Sequence, residues 1–195
     1  GVEVILTGDE KVINERIEAL GVSRNGITVE NAEGIIRIED NPLDIRKSKA
    51  GTSMGVAFRL VNEGKADAFV SAGSTAAMVV GRVKGIKRPS LTPIMPSTEG
   101  LYLLSDGGAN SECRPEMLLQ FAVMGSIYME KIMGIKNPRV GLLNIGAEEE
   151  KGRELELETY KKLKSAPINF GGNIEAREIP NGTFDVVVTD GVICE

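Results

Sequence analysis

Histidine and tryptophan are both absent from this 195-residue sequence, and cysteine occurs only twice. Without histidine there is no common general base, no common metal ligand and no Ser-His or Cys-His nucleophile pair. Chemistry must therefore run on carboxylates, lysine, hydroxyls and backbone amides, with no metal and no cofactor expected. Cys113 and Cys194 are too few for a disulfide scaffold and lack the close spacing of a zinc site, which suits a reducing, cytoplasmic compartment. Long hydrophobic runs are also missing. The longest, at 68–72 and 76–80, are far too short to span a bilayer, and no charged-then-apolar signal segment opens the chain. Nor is there a basic excess: 23 Lys and Arg against 28 Asp and Glu give a net charge of −5. That is the wrong sign for holding nucleic acid over the whole surface, and no nucleic-acid partner is expected. What is present, 42% apolar and 26% charged residues, describes a globular chain long enough for one sizeable core or two small ones.

Short Val-, Ile- and Leu-rich runs alternate with stretches of helical period, the pattern of a mostly parallel sheet covered by helices. The fold class expected is α/β, in one region over 1–195 with a possible internal boundary at 85–100, where three prolines and two glycines interrupt the periodicity. Helices are expected over 52–63, 74–84, 115–133 and 148–164, and Thr7 with Glu10 suggests a capping box for a helix through residue 20. Strands are expected at 27–29, 35–38, 68–71, 101–104, 140–144, 168–170 and 186–189. The chain starts without Met inside a strand-like run and stops just after another, as expected of a piece of a longer protein.

Four expected strand ends run into small or polar residues: Ser71-Ala72-Gly73-Ser74-Thr75, Ser105-Asp106-Gly107-Gly108-Ala109-Asn110, Asn144-Ile145-Gly146-Ala147-Glu148 and Thr189-Asp190-Gly191. Glycines and serines at strand ends also make plain turns. Their recurrence on parallel strands, which share one carboxyl edge, points instead to a phosphate or carboxylate site. No P-loop and no Gly-x-Gly-x-x-Gly follows a strand, so ATP and dinucleotide readings are weak. Lys151 and Arg153 open the charged helix expected from 148, where a basic side chain opposes the helix dipole; an anion partner or simple exposure accounts for them. Asp190 follows the apolar run Val186-Val187-Val188 and is either a turn residue or a site residue. Cys113, with no histidine to activate it, reads as a buried small residue. Arg82, Lys84, Lys87 and Arg88 form the densest basic cluster, with Arg46, Lys47 and Lys49 a second. Such patches are either solvated surface or a dock for an acidic partner.

Beyond periodicity, the order and spacing of Ser71-Ala72-Gly73-Ser74-Thr75, Gly108-Ala109-Asn110 through Arg114-Pro115-Glu116, residues 120–126, Pro138 through Gly146, Lys151-Gly152, Gly172-Asn173-Ile174-Glu175 and residues 185–191 resemble the PlsX family of bacterial phosphate acyltransferases. The resemblance implies transfer of an acyl group from acyl carrier protein to inorganic phosphate, giving acyl phosphate for phospholipid synthesis. It also implies an isocitrate/isopropylmalate-dehydrogenase-like three-layer fold, a homodimer, and a cytoplasmic protein peripherally associated with the membrane. Ser74 stands where that family usually has Asn, and the family's N-terminal segment and C-terminal part have no counterpart in these residues.

The expected chemistry needs neither a strong base nor a strong acid, because phosphate is already anionic and a thiolate leaves with a pKa of about 8.5. On that reading, Lys151 and Asp190 are the catalytic pair. Lys151 neutralises phosphate or oxyanion charge, and Asp190 orients the lysine or accepts phosphate's remaining proton. Ser71, Gly73, Ser74, Thr75, Asn110, Asn144, Gly146 and Asn173 contact phosphate or substrate, and Arg82, Lys84, Lys87 and Arg88 dock the carrier protein. Rival readings are an acetyl-phosphate-forming phosphotransacetylase or glycine-reductase-component-like protein, a decarboxylating dehydrogenase lacking a convincing metal constellation, and an inactive anion-binding or dimerisation unit.

Overall fold

The computed structural model describes residues 1–37, 40, 49–73, 85–110 and 112–191. The expected helix at 74–84 therefore lies outside the described residues, together with Ser74, Thr75, Arg82, Lys84, Arg46, Lys47 and Cys194. The chain divides into two compact units, Gly1–Gly85 and Ile86–Glu195.

In the first unit, strand β1 (Val4–Gly8) pairs in parallel with β2 (Ile27–Asn31), from Val4 against Ile27 to Gly8 against Asn31. Helix α1 (Glu10–Ala19) follows β1 directly, and its N-cap is Asp9, whose side chain accepts from the Val12 N–H. Thr7 does not cap it, because Thr7 is spent in the ladder opposite Glu30. Helix α2 (Ser53–Asn62), capped by Thr52, buries Met54, Val56 and Leu60, and Ala32, Val56 and Leu60 form the small core with Ile5 and Ala66. Phe58 packs edge-on against Phe69, with ring centroids 4.4 Å apart. Two expected strands do not form among the described residues. Residues 35–37 join no ladder, and the Arg37 N–H donates to the Asp40 carboxylate in a turn. Residues 68–71 find no partner strand among the described residues, and Val70 is 99% exposed despite its strand-like composition.

The second unit is a five-stranded sheet. Its strands are β3 (Ile94–Ser97), β4 (Gly100–Ser105), β5 (Arg139–Leu143), β6 (Asn169–Ile174) and β7 (Val186–Val188), in the order β3-β4-β7-β5-β6. Only β3 is antiparallel, so β4, β7, β5 and β6 all end at one edge. The strand β7 is three residues long, too short to announce itself by alternation, yet it lies between β4 and β5 with all three valines buried. Helices α3 (Pro115–Lys131) and α4 (Glu154–Lys164) pack on one face over Leu103, Val140, Leu142, Val186 and Val188. Proline at the start of α3 costs nothing, because the first helical N–H has no intrahelical acceptor. Gly125 lets α3 approach closely: a Cβ there would stand 2.8 Å from Val186 Cγ1. On the other face Tyr102, Leu143, Ile174 and Val187 pack with Ile179 of a 3-10 helix (Ala176–Asn181) and with Phe184. The Phe184 ring fills the space that side chains at Gly141 and Gly171 would take. The second unit is thus a mixed α/β layer structure with a mostly parallel sheet.

Candidate functional site

Side chains alternate across a strand, so Leu142 and Asn144 on β5 and its extension share a parity, as do Val188 and Asp190 on β7. Asn173 stands opposite Leu142 in the register of β5 and β6. Leu142 and Val188 belong to the core under α3 and α4. Asn144, Asn173 and Asp190 therefore continue that helix-covered face to the carboxyl edge of the sheet, where all three are buried.

The loop leaving β5 crosses this edge. It was expected to be helical from residue 148, but α4 begins at Glu154, because Gly152 adopts φ +102°, a left-handed conformation unsuited to other residues. Close packing also requires glycine there: a Cβ would lie 2.6 Å from Asn144 Oδ1 and 2.8 Å from Glu156 Cβ. The loop is braced by the asparagines beneath it. Asn144 donates from Nδ2 to the Lys151 carbonyl at 2.9 Å, and Asn173 donates from Nδ2 to the Glu148 carbonyl at 2.7 Å. Asn144 Oδ1 meanwhile accepts from the Ile145 N–H. Gly146 leaves room for the Lys151 stem, whose Cγ sits 3.0 Å from where a Cβ would be. Lys151 is exposed, and its ammonium enters none of the ion pairs among the described residues.

The pairing expected between Asp190 and Lys151 is replaced by one with Arg153. Arg153 Nη2 donates to Asp190 Oδ2 at 2.7 Å and also to Glu156 Oε1. The Arg153 N–H, at the N-cap of α4, donates to Glu156 Oε2 at 2.7 Å, so Glu156 supplies the carboxylate half of a capping box. The turn at Gly152 brings Arg153, rather than Lys151, to the two carboxylates. Asp190 and Glu156 are 5% and 4% exposed, and a buried charge of this kind persists only when paired. Burial pushes the Glu156 carboxyl up, but the Arg153 hydrogen bonds and charge outweigh this and leave its pKa below the ordinary value. Those hydrogen bonds, to Glu156 first and Asp190 second, raise the Arg153 pKa. The anion partner that a basic residue at this helix start calls for is thus, for Arg153, the protein's own pair of carboxylates.

At the end of β4, Asp106 is fully buried and accepts from the N–H groups of Leu91 and Ala109 at Oδ1 and of Asn110 at Oδ2. Asn110 Nδ2 donates to Asp106 Oδ2 and to the Pro89 carbonyl, so both its amide hydrogens serve the turn. Gly191 fits closely against this turn: a Cβ would stand 2.6 Å from the Asn110 carbonyl oxygen. Cys113 lies nearby, half-buried, and its thiol is pushed up to about 11 by burial and by the Asp106 charge. Cys113 in the folded protein should accordingly react with iodoacetamide at neutral pH at least about tenfold more slowly than an unperturbed thiol, because little thiolate is present. Mass-spectrometric alkylation kinetics, with the denatured chain as reference, check this.

In the first unit, Gly73 donates its N–H to Ser71 Oγ at 3.0 Å, a local turn. A cleft of about 530 Å³ there is lined by Asp9, Glu10, Lys11, Asn14, Asn31 and Glu33, none of them a site residue expected from sequence. Lys87 and Arg88 are exposed in the second unit. No group of three or more Cys, Asp or Glu residues suited to a metal ion occurs among the described residues. No helix among them is long and apolar enough to cross a membrane.

Residues 1–195 match the profile of the family described as fatty acid synthesis protein. The phosphate acyltransferase of Elusimicrobium minutum is 50% identical over 97% of this chain and 58% of its own length. That of Clostridium novyi is 45% identical over 98% of this chain and 60% of its own. The chain thus spans less than two thirds of the relatives it matches. In fold it is similar to a phosphotransacetylase from Streptococcus pyogenes, with a TM-score of 0.67 at 20% identity, covering 97% of this chain and 70% of that one. A profile matched from end to end, with relatives at this level of identity, places the chain in the fatty acid synthesis protein family.

Proposed function

We propose that the protein containing this chain transfers an acyl group from acyl carrier protein to inorganic phosphate, forming acyl phosphate and free carrier thiol. The observation that carries this reading is Lys151, exposed and unpaired among the described residues, on a loop braced by Asn144 and Asn173 at the sheet edge where Asp190 is buried and ion-paired with Arg153. Relatives 45–50% identical and bearing the name phosphate acyltransferase support it. In the reaction a phosphate oxygen attacks the thioester carbonyl carbon, the new C–O bond forms, and the C–S bond breaks with thiolate leaving. The Lys151 ammonium neutralises charge on phosphate and on the developing oxyanion, while Asp190 accepts phosphate's proton. Asn144 keeps one amide hydrogen for substrate, and Gly146 offers backbone to it. Ser71, Gly73, Ser74 and Thr75 keep the part expected of them, as anion contacts. Asn110 serves by holding the Asp106 turn.

The finer fold reading, a three-layer isocitrate/isopropylmalate-dehydrogenase-like architecture, belongs to the same proposal, as do the homodimer and a cytoplasmic protein touching the membrane surface. The test is to mix the full chain with long-chain acyl carrier protein and phosphate, trap acyl phosphate with hydroxylamine and follow free thiol. Phosphate-dependent product supports the proposal. Product only from short-chain acyl-coenzyme A identifies an acetyl-phosphate-forming enzyme, and no product from either donor sinks the reading.

Carrier protein is acidic, and exposed Lys87 and Arg88 fit its docking, joined in sequence by Arg82 and Lys84. Reversing both charges, Lys87→Glu with Arg88→Glu, should raise KM for acyl carrier protein about tenfold, flatten its salt dependence and leave kcat unchanged. Steady-state kinetics at several salt concentrations measure this, and an unmoved KM means the patch is plain solvated surface.

A further inference from the structure

One carboxylate oxygen at this edge has no use in the fold. Asp190 Oδ2 is taken by Arg153 at 2.7 Å, but Oδ1 is buried and has no hydrogen-bond partner among the described residues. Asn173 Oδ1 is likewise buried and unpartnered on the same face, while the Nδ2 of that amide is committed to the loop. Both orphans are acceptors, and as the anionic member of an ion pair Asp190 has nothing to donate. A buried polar atom left without a partner is costly, so the occupant that completes this edge must bring a hydrogen-bond donor. Lys151, exposed on the loop that Asn173 braces at this edge, draws an anion. An anion that also donates is a protonated oxyanion.

Resting on the phosphate-site reading above, we propose that Asp190 Oδ1 is a specificity determinant, which accepts the hydroxyl proton of hydrogen phosphate or arsenate and rejects sulfate. At neutral pH hydrogen phosphate and sulfate share tetrahedral shape, similar size and charge, and differ by that proton. Facing Oδ1, sulfate brings oxygen lone pairs against a carboxylate lone pair, an unpaired and repulsive contact. Arg153 acts through Asp190: by occupying Oδ2 it fixes which oxygen stays open.

Calorimetric titration of the full chain with inorganic phosphate, arsenate and sulfate tests this without turnover. The wild type should bind phosphate and arsenate within about threefold of each other, and sulfate at least about 100-fold more weakly, as for any site with a buried polar group left unpaired. In Asp190→Asn, whose amide can donate to sulfate, the phosphate-to-sulfate preference should fall by about tenfold or more. Wild-type protein that binds sulfate as well as phosphate overturns the proposal, and that comparison needs no variant. So does an Asp190→Asn protein that is folded by circular dichroism and keeps the full preference. Failure of the underlying phosphate-site reading looks different: binding of both anions would be indifferent to Lys151→Ala.

Discussion

Lys151→Ala in the full chain should lower kcat/KM for acyl transfer to phosphate by about 10³, roughly 4 kcal/mol of transition-state stabilisation. It should leave the melting temperature within a degree or two, since surface changes without buried partners alter stability little. The reasoning is local. The Lys151 ammonium is exposed and unpaired among the described residues, while its backbone carbonyl, which a substitution leaves in place, is what Asn144 grips. Asp190→Ala should be at least as inactive, but should melt measurably earlier, because it removes a buried partner of Arg153 and opens a small cavity beneath the loop. Arg153 is itself largely exposed, so that loss stays well below the cost of breaking a fully buried pair. Hydroxylamine-trapping kinetics beside thermal denaturation separate the two effects. Near-normal turnover in both variants would remove Lys151 and Asp190 from the chemistry.

Gly152→Val is the most damaging single change expected in the loop. A β-branched residue at φ +102° is strained by about 2 kcal/mol or more, and its Cβ would overlap the Asn144 amide and Glu156 Cβ. Relieving that overlap costs about 1–3 kcal/mol further and loosens the Asn144 bond to the Lys151 carbonyl. The expected result is a drop in melting temperature of about 10 °C or more and loss of activity even where the protein is folded. Gly134→Ala is the matched comparison: φ is +75°, and nothing lies within 4 Å of the added Cβ. It should pay only the conformational penalty, about 1 kcal/mol, with unchanged kinetics. Equal losses in both variants would mean that packing against Asn144 and Glu156 contributes nothing.

Much of this arrangement was legible before the structure. Helix α3 announced itself through Pro115, its long apolar period and Gly134, and the polar ends of β4, β5 and β7 do meet at one edge. What escaped depends on tertiary partners. Residues 68–71 have strand composition, but a strand exists only where another supplies hydrogen bonds. Residues 148–153 have helical composition, and the left-handed Gly152 overrides it. The basic character of Arg153 was readable as a demand for an anion, but the choice between a bound anion and the protein's own carboxylates was not. Nothing local in the sequence links position 153 to position 190. Nor was the bracing that Asn144 and Asn173 give the loop readable, since it is set by the carbonyls that cross above them.

The placement of β7 has a consequence for how the protein is made. Among the described residues this strand is the last of the sheet in sequence, yet it lies between β4 and β5 and hydrogen-bonds to both. While the chain emerges from the ribosome, β4 and β5 have no direct ladder to each other, and the valine strand that joins them arrives only after β6 and the 3-10 helix have been synthesised. Helix α3 and its neighbours can form early from local contacts, but closing the sheet waits on pairings across most of the unit, the slow kind in folding. Asp190 lies two residues beyond the end of that closing strand. A nascent chain therefore carries its Lys151 loop long before it carries Asp190, and the ion pair of Arg153 with that carboxylate waits on the closing of the sheet.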